Sequence, residues 1–199
     1  LVEAFGSPAE VFAAPYEALR CIPGIGEKTA RQILSFRDWE ACYAELRRVR
    51  EQSISLVTFL DPDYPRRLLN IYDFPPLLYV KGVLSNDDIP VAVVGSRQAS
   101  PYGRFTTERL CRELALKGIT IVSGMARGID SSAHSGALAG RGRTLAVLGS
   151  GLDVIYPYDH RELAAQIAGQ GAVISEFPLG TKPDRHNFPR RNRLISGLS

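Results

Sequence analysis

From Pro90 to Phe177 the chain repeats one pattern: a short uninterrupted apolar run, a break rich in glycine or serine, then a longer amphipathic stretch. "PVAVVGS", "ITIVSG", "RTLAVLGSG" and "AVISEF" are the apolar runs, and "SPYGRFTTERLCRELALKG", "IDSSAHSGALAG" and "DHRELAAQIAGQG" lie between them with helical spacing. A strand that is apolar at successive positions has no polar face to offer to water, so it must be covered on both sides. Such strands alternating with amphipathic helices predict a parallel sheet with helices on both faces. The predicted class is therefore α/β: an extended Rossmann-like, doubly wound, mostly parallel sheet. Two further apolar runs, "ISLVTFL" and "LLYVKG", flank the turn-rich "DPDYPRRLLNIYDFPP" and place the start of this domain at residue 53.

Residues 1–52 differ in texture. They read as short helices with apolar spacing, broken by "IPGIG". The break and the "EKTARQIL" after it resemble a helix-hairpin-helix, a small motif that contacts DNA backbone without reading sequence. Glycines let such a hairpin approach a phosphate, and the N–H groups opening the second helix point at it. Gly24, Gly26 and Lys28 would be the contacts; a plain packing turn is the alternative. The expected organisation is thus a helical helix-hairpin-helix or SAM-like domain over 1–52 and a Rossmann-like domain over 53–199, which 199 residues accommodate.

No apolar run approaches the roughly 18 residues of a membrane span, and the N-terminus lacks the basic-then-apolar pattern of a signal peptide. A cytoplasmic protein without a membrane partner is expected. Cys21, Cys42 and Cys111 lie far apart and predict reduced thiols. The chain opens on Leu1, which suggests a processed or incomplete piece.

Net charge is +3, but it is unevenly spread. From Thr181 onward Lys182, Arg185, Arg190, Arg191 and Arg193 face one acid, Asp184, while everything before sums to −1. A basic segment of this kind marks an anionic partner. Phe188, Pro183 and Pro189 interleave it, which is unlike a simple solvated charge run.

In doubly wound sheets ligands bind at the carboxyl ends of the strands. The first end supplies Gly95, Ser96 and Arg97, with Ser100 as helix cap and Pro101 behind it. The second supplies Ser123, Gly124, Arg127 and Gly128, and the third Gly149, Ser150 and Gly151. The fourth runs into the basic segment with Arg185, Phe188, Arg190, Asn192 and Arg193. Small residues with free N–H groups seat anions, and guanidinium groups grip phosphate through paired hydrogen bonds.

Rival chemistries lack their parts. A dinucleotide cofactor wants GxGxxG and an acidic residue closing the second strand; neither is present, nor is a P-loop, so no cofactor is expected. Asp130 and His134 are spaced for one helical turn, with Ser131 and Ser132 between, and read as a capping aspartate and a packed or paired histidine rather than a nucleophile's partners. His160 and His186 lack partners at metal-ligand spacing. Glu176 reads as a residue that accepts backbone or arginine hydrogen bonds.

Taken together, "GSR", "VSGMARGIDSSAH", "LAVLGSGLDVIYP" and "SEFPLGTKPDRHNFPRRNRLISGLS" closely resemble the DNA-processing protein A family, also called DprA or Smf, over about residues 53–199. The resemblance implies a single-stranded-DNA-binding recombination mediator that is not an enzyme and helps load the RecA recombinase onto incoming strands in natural transformation. It also implies a homodimer when full length. Arg97, the Gly149–Gly151 loop, Arg185 and Phe188 match the family's DNA-pocket positions, and Arg190, Asn192 and Arg193 belong to the same motif. The family's domain continues past "RNRLISGLS", so the chain is expected to be truncated at its C-terminal end. The alternative is a nucleoside-monophosphate phosphoribohydrolase, which shares the Gly-Ser-Arg loop; its "PGGxGTxxE" stretch is absent, "FPLGTKPD" being the nearest.

Overall fold

The computed structural model describes residues 1–199, which divide into two compact units, Leu1–Ala44 and Glu45–Ser199. The first is helical: α1 (Val2–Phe5), α2 (Pro8–Ala13), α3 (Tyr16–Arg20), α4 (Glu27–Ser35) and the opening of α5 (Trp39–Glu51). Ser7 caps α2 by accepting the Glu10 N–H at 3.2 Å, and Pro8 fills the first helical position, where no donor is needed. Val11, Ala14, Leu19 and Ala30 make a small core under Ile25, Ile33 and Leu34. The "IPGIG" stretch turns the chain from α3 into α4, with Gly24 at φ +84° and Gly26 immediately before the helix.

The remaining turns of α5 belong to the second unit, where Val49 packs with Ile54, Tyr79 and Leu179. Its sheet has six strands: β1 (Ser55–Thr58), β2 (Leu77–Gly82), β3 (Ile89–Ala92), β4 (Ile119–Ser123), β5 (Thr144–Val147) and β6 (Ala172–Ser175), in spatial order β1-β2-β6-β5-β4-β3. β3 to β6 are parallel, whereas β2 runs antiparallel to both β6 and β1. Helices α6 (Pro101–Leu116), α7 (Ile129–Ala139) and α8 (Arg161–Gln170) are the crossovers, and α9 (Asn187–Gly197) follows β6.

The fully apolar strands are explained by where their neighbours point. Successive residues of a strand face opposite sides of the sheet. Leu145, Val147 and Ile174 enter one core with Leu68, Leu78, Val122 and Leu194. Ala146, Leu148 and Val173 enter the other with Met125, Leu152 and Ile167. Every residue of β5 and β6 is buried, while the edge strand β3 alternates between exposed and half-buried. α6 and α7 pack closely because Gly136 leaves no room for a Cβ beside the Glu108 carbonyl.

Two readings shift. The strands are shorter than their apolar runs: "PVAVVGS" is a strand only to Ala92, although the Val93 N–H still bonds the Val122 carbonyl at 3.0 Å. The basic segment becomes a helix from Asn187. Pro189 is the third residue of α9, inside the first turn, whose N–H groups have no intrahelical acceptor, so the ring costs no hydrogen bond there. Leu194, Ile195 and Leu198 then anchor this helix end in the core. No helix is long and apolar enough to cross a membrane.

Candidate nucleic-acid interface

The carboxyl ends of β3, β4, β5 and β6 deliver four loops to one rim, and α9 starts at the same rim. Ser100 accepts the Gly103 N–H at 3.1 Å and fixes the start of α6 after the Gly95–Arg97 loop. Gly128 has φ +81° and lies against the Ser96 carbonyl, so only glycine fits that crossing of the first two loops. The Ile129 N–H bonds the same carbonyl at 3.2 Å and ties the two loops together.

Phe188 stands at the centre of the rim, half-buried. A Cβ at Gly149 would lie 2.9 Å from its ring, so the third glycine loop is the seat on which the ring rests. Arg97 lies over the ring at 5.1 Å from the centroid, and the Tyr156 ring lies 5.9 Å away, tilted by 37°. Three adjoining cavities of about 370, 350 and 500 Å³ all share Arg97 and Phe188. The first is bounded by Gly95, Asp130 and Asn192, the second by Gly124, Arg127 and Tyr158, and the third by Arg185, Pro183 and Asn192. Arg97 and Arg185 therefore share a cleft with one aromatic face. Arg97, Arg185 and Arg190 are exposed and make no salt bridge to a carboxylate. Arg185 donates only to His186 Nε2 at 3.2 Å, and Arg190 lies over Phe177 at 5.7 Å, outside the three cavities.

Behind this rim the polar groups face inward. Arg191 is 4% exposed and donates to the Gly124 carbonyl at 2.8 Å and to the Val147 carbonyl. Burial lowers its pKa to about 10, opposed by the nearby Asp130 charge, so it remains cationic at neutral pH. Gly124 is required for this contact, since a Cβ would meet the Arg191 guanidinium at 2.6 Å. Asp130, 5% exposed at the start of α7, accepts the Gly95 and Ala126 N–H groups at 3.4 and 3.3 Å. Burial raises its pKa even though those N–H groups and Arg191 favour the anion.

The remaining predicted residues divide in the same way. The Ser123 hydroxyl donates to the Val93 carbonyl at 2.6 Å and that of Ser150 to Val154 at 2.7 Å, so both knit loops rather than face a ligand. Gly151 is buried against Pro178. Ser96 is exposed and accepts the Gln98 N–H at 3.1 Å. Arg193 donates twice to Glu176, at 2.6 and 3.2 Å, and once to Asp73 at 2.7 Å. Burial works against its charge, but those carboxylates more than compensate and hold its pKa above the ordinary arginine value. Sequence reading missed Arg191 as the residue that satisfies carbonyls at the sheet rim. It also missed Tyr156 as Phe188's neighbour; the aromatic in "DVIYP", directly after the third glycine loop, was the available signal.

The geometry sets exposed guanidinium groups without carboxylate partners beside an aromatic face. Residues 55–199 match the family model described as DNA recombination-mediator protein A. The chain belongs to that family. Among relatives of the DNA recombination-mediator family, protein Smf of Synechocystis is 44% identical over 187 residues, covering 92% of this chain and 47% of its own length. The crystal structure of DNA processing protein A from Streptococcus pneumoniae superposes with a TM-score of 0.77 at 35% identity, over 92% of this chain and 63% of that one. A structure of the Helicobacter pylori DNA processing protein A, described for its single-stranded DNA binding mode, matches with a TM-score of 0.64 at 33% identity, over 73% of this chain and 66% of that one. The chain spans about half the length of the curated relatives it matches. Every residue of the rim described above falls inside the part matched to the recombination-mediator family.

Proposed function

We propose that this chain binds single-stranded DNA as a recombination mediator, helping to load the RecA recombinase onto incoming strands in natural transformation. The observation that carries the reading is Phe188, half-buried on Gly149, with Arg97 above it and Arg185 on the same cleft. An unpaired strand presents phosphates and open base faces together. Arginines exchange with the counterions of the phosphates, and a base on Phe188 contributes without regard to sequence. A duplex hides its base faces, so this rim favours single strands. Membership of the recombination-mediator family and the named binding mode of the Helicobacter pylori relative support the same reading.

Self-association of the full-length protein, a cytoplasmic location and a helix-hairpin-helix role for residues 1–52 belong to the same proposal. The open backbone at Gly24 and Gly26, with nothing within 4 Å of either added Cβ, supports the last of these. The reading involves no catalysis: Glu176, the carboxylate directly after β6, has its side chain 9% exposed and both oxygens on Arg193.

The test is fluorescence anisotropy of labelled oligo-dT and of a matching duplex across a salt series, with base release from AMP measured beside it. Tight, salt-sensitive binding of the single strand, weaker duplex binding and no adenine release are expected. Equal affinity for both, or release of adenine, overturns the proposal.

A further inference from the structure

Arg127 and Asp159 meet on the wall of the second cavity, the one of about 350 Å³ that also touches Arg97, Tyr156, Tyr158 and Phe188. Arg127 Nη2 donates to both carboxylate oxygens of Asp159, at 3.1 and 3.2 Å. The two side chains remain 65% and 61% exposed, and exposed pairs of this kind are weak. The loops that carry them do not depend on the pair. His160 Nδ1 donates to the Met125 carbonyl at 2.9 Å and holds the two loops together beside it.

A carboxylate on an arginine offers the same two-oxygen face that a phosphate offers. Here that carboxylate lies on Arg127, which makes a salt bridge where Arg97 and Arg191 on the same wall make none, and the cavity is large enough for a nucleotide. Tyr156 and Tyr158 line the same cavity and are 48% and 69% exposed, so aromatic surface is available beside the seat.

We propose that Asp159 occupies a phosphate seat on Arg127, and that a single strand stacked on Phe188 takes a second subsite in this cavity by displacing it. Asp159 thereby limits affinity, because the strand gains the Arg127 contact only after breaking the internal pair. It also adds discrimination. A ligand with one phosphate already seated at Arg97 gains little from the exchange, whereas a continuous strand delivers a second phosphate next door. The inference rests on the single-strand reading given above and adds Asp159 and the tyrosine-lined cavity to it.

The test is a double-mutant cycle on oligo-dT affinity at about 0.15 M salt, where charges more than about 8 Å apart are screened. Asp159→Asn is expected to tighten binding roughly twofold to fivefold, the range an exposed pair supports. Arg127→Ala weakens it, and Asp159→Asn added to Arg127→Ala changes nothing further. Asp159→Ala, with an unchanged thermal midpoint, repeats the gain. An equal gain in both backgrounds means that Asp159 acts only as a general negative charge and overturns the exchange, as does no gain at all. Phe188→Ala separates this from the underlying reading: if it weakens binding while Asp159→Asn does nothing, only the exchange falls. If oligo-dT does not bind the unaltered protein, both fall.

Discussion

Arg97 and Arg191 border the same cavities yet do opposite work. Arg97 is exposed over an aromatic ring with its charge uncompensated, whereas Arg191 is sealed beneath it with its donors on Gly124 and Val147. The same split runs along α9. Arg190 is exposed, Arg191 is buried and Arg193 is clasped by Glu176 and Asp73, because a helix turns each successive side chain by about 100°. Of the five cations after Thr181, Arg191 and Arg193 belong to the fold. The rim thus has an outer layer that can meet a ligand and an inner layer that holds the loops in place.

The comparison breaks first at Arg191. Arg191→Leu strips two strand-end carbonyls of their donor and removes the positive charge near Asp130. A loss of about 2–6 kcal/mol of unfolding free energy is expected from urea denaturation, about 1–3 kcal/mol for each of the two buried acceptors left unsatisfied. Arg191→Lys recovers only part of this, since one ammonium cannot reproduce a planar fork. An Arg191→Leu protein as stable as the original would place this residue in the outer layer.

The inner layer also carries a proton-linked prediction through His134. The Thr144 hydroxyl donates to the Ile121 carbonyl at 2.8 Å, so its contact with His134 Nδ1 at 2.7 Å must have the ring as donor. The proton is therefore on Nδ1, and Nε2 is buried without a partner. Burial, reinforced by the charges of His160 and Arg191, lowers the pKa from 6.5 to about 3. The unfolded chain takes up a proton below pH 6.5 while the folded one refuses it until about 3. Stability contributed by the neutral ring is accordingly lost as pH falls through that window, by about 1.4 kcal/mol per pH unit. Asp130, with its raised pKa, works the other way, since its burial cost is relieved as it protonates. The difference between the protein and His134→Asn, which keeps an N–H toward Thr144, isolates the histidine. Parallel stability curves from pH 6.5 to 4.5 would refute the assignment.

The doubly wound sheet was legible because its cause is periodic. Leu145, Ala146 and Val147 alternate between two cores, so each position had to be apolar. Ser100 and Pro101 announced the start of α6 by local chemistry alone. The site was half legible for the converse reason. Gly149 and Phe188 could be placed on one rim from the rule for strand ends, but nothing local shows that one is the seat of the other. Nor could the sequence separate Arg190 from Arg191, which are neighbours of identical chemistry. Their roles follow from rotation about a helix axis, and the prolines concealed that helix because their harmlessness depends on where the first turn begins.

In the outer layer the expected effects are on binding and leave the fold intact. Phe188→Ala removes the stacking face and should weaken oligo-dT by about 1–3 kcal/mol. Gly149→Ala should reproduce part of that loss with the ring still present, because the new Cβ would press on it from 2.9 Å. If Gly149→Ala binds normally, the ring does not need its seat, and the division between inner and outer layers is less sharp than their burial implies.

The smallest effect distinguishes two exposed arginines. Arg97 borders all three cavities and Arg190 none. If each phosphate held on a single strand contributes about 0.7 to the slope of log affinity against log salt, Arg97→Ala should reduce that slope by about one such increment. Arg190→Ala should shift affinity slightly through screened attraction and leave the slope nearly unchanged. Both substitutions remove the same formal charge, so equal slopes would mean that the rim acts as a diffuse positive field. Unequal slopes would mean that position on the rim, rather than charge, decides which arginine holds a phosphate.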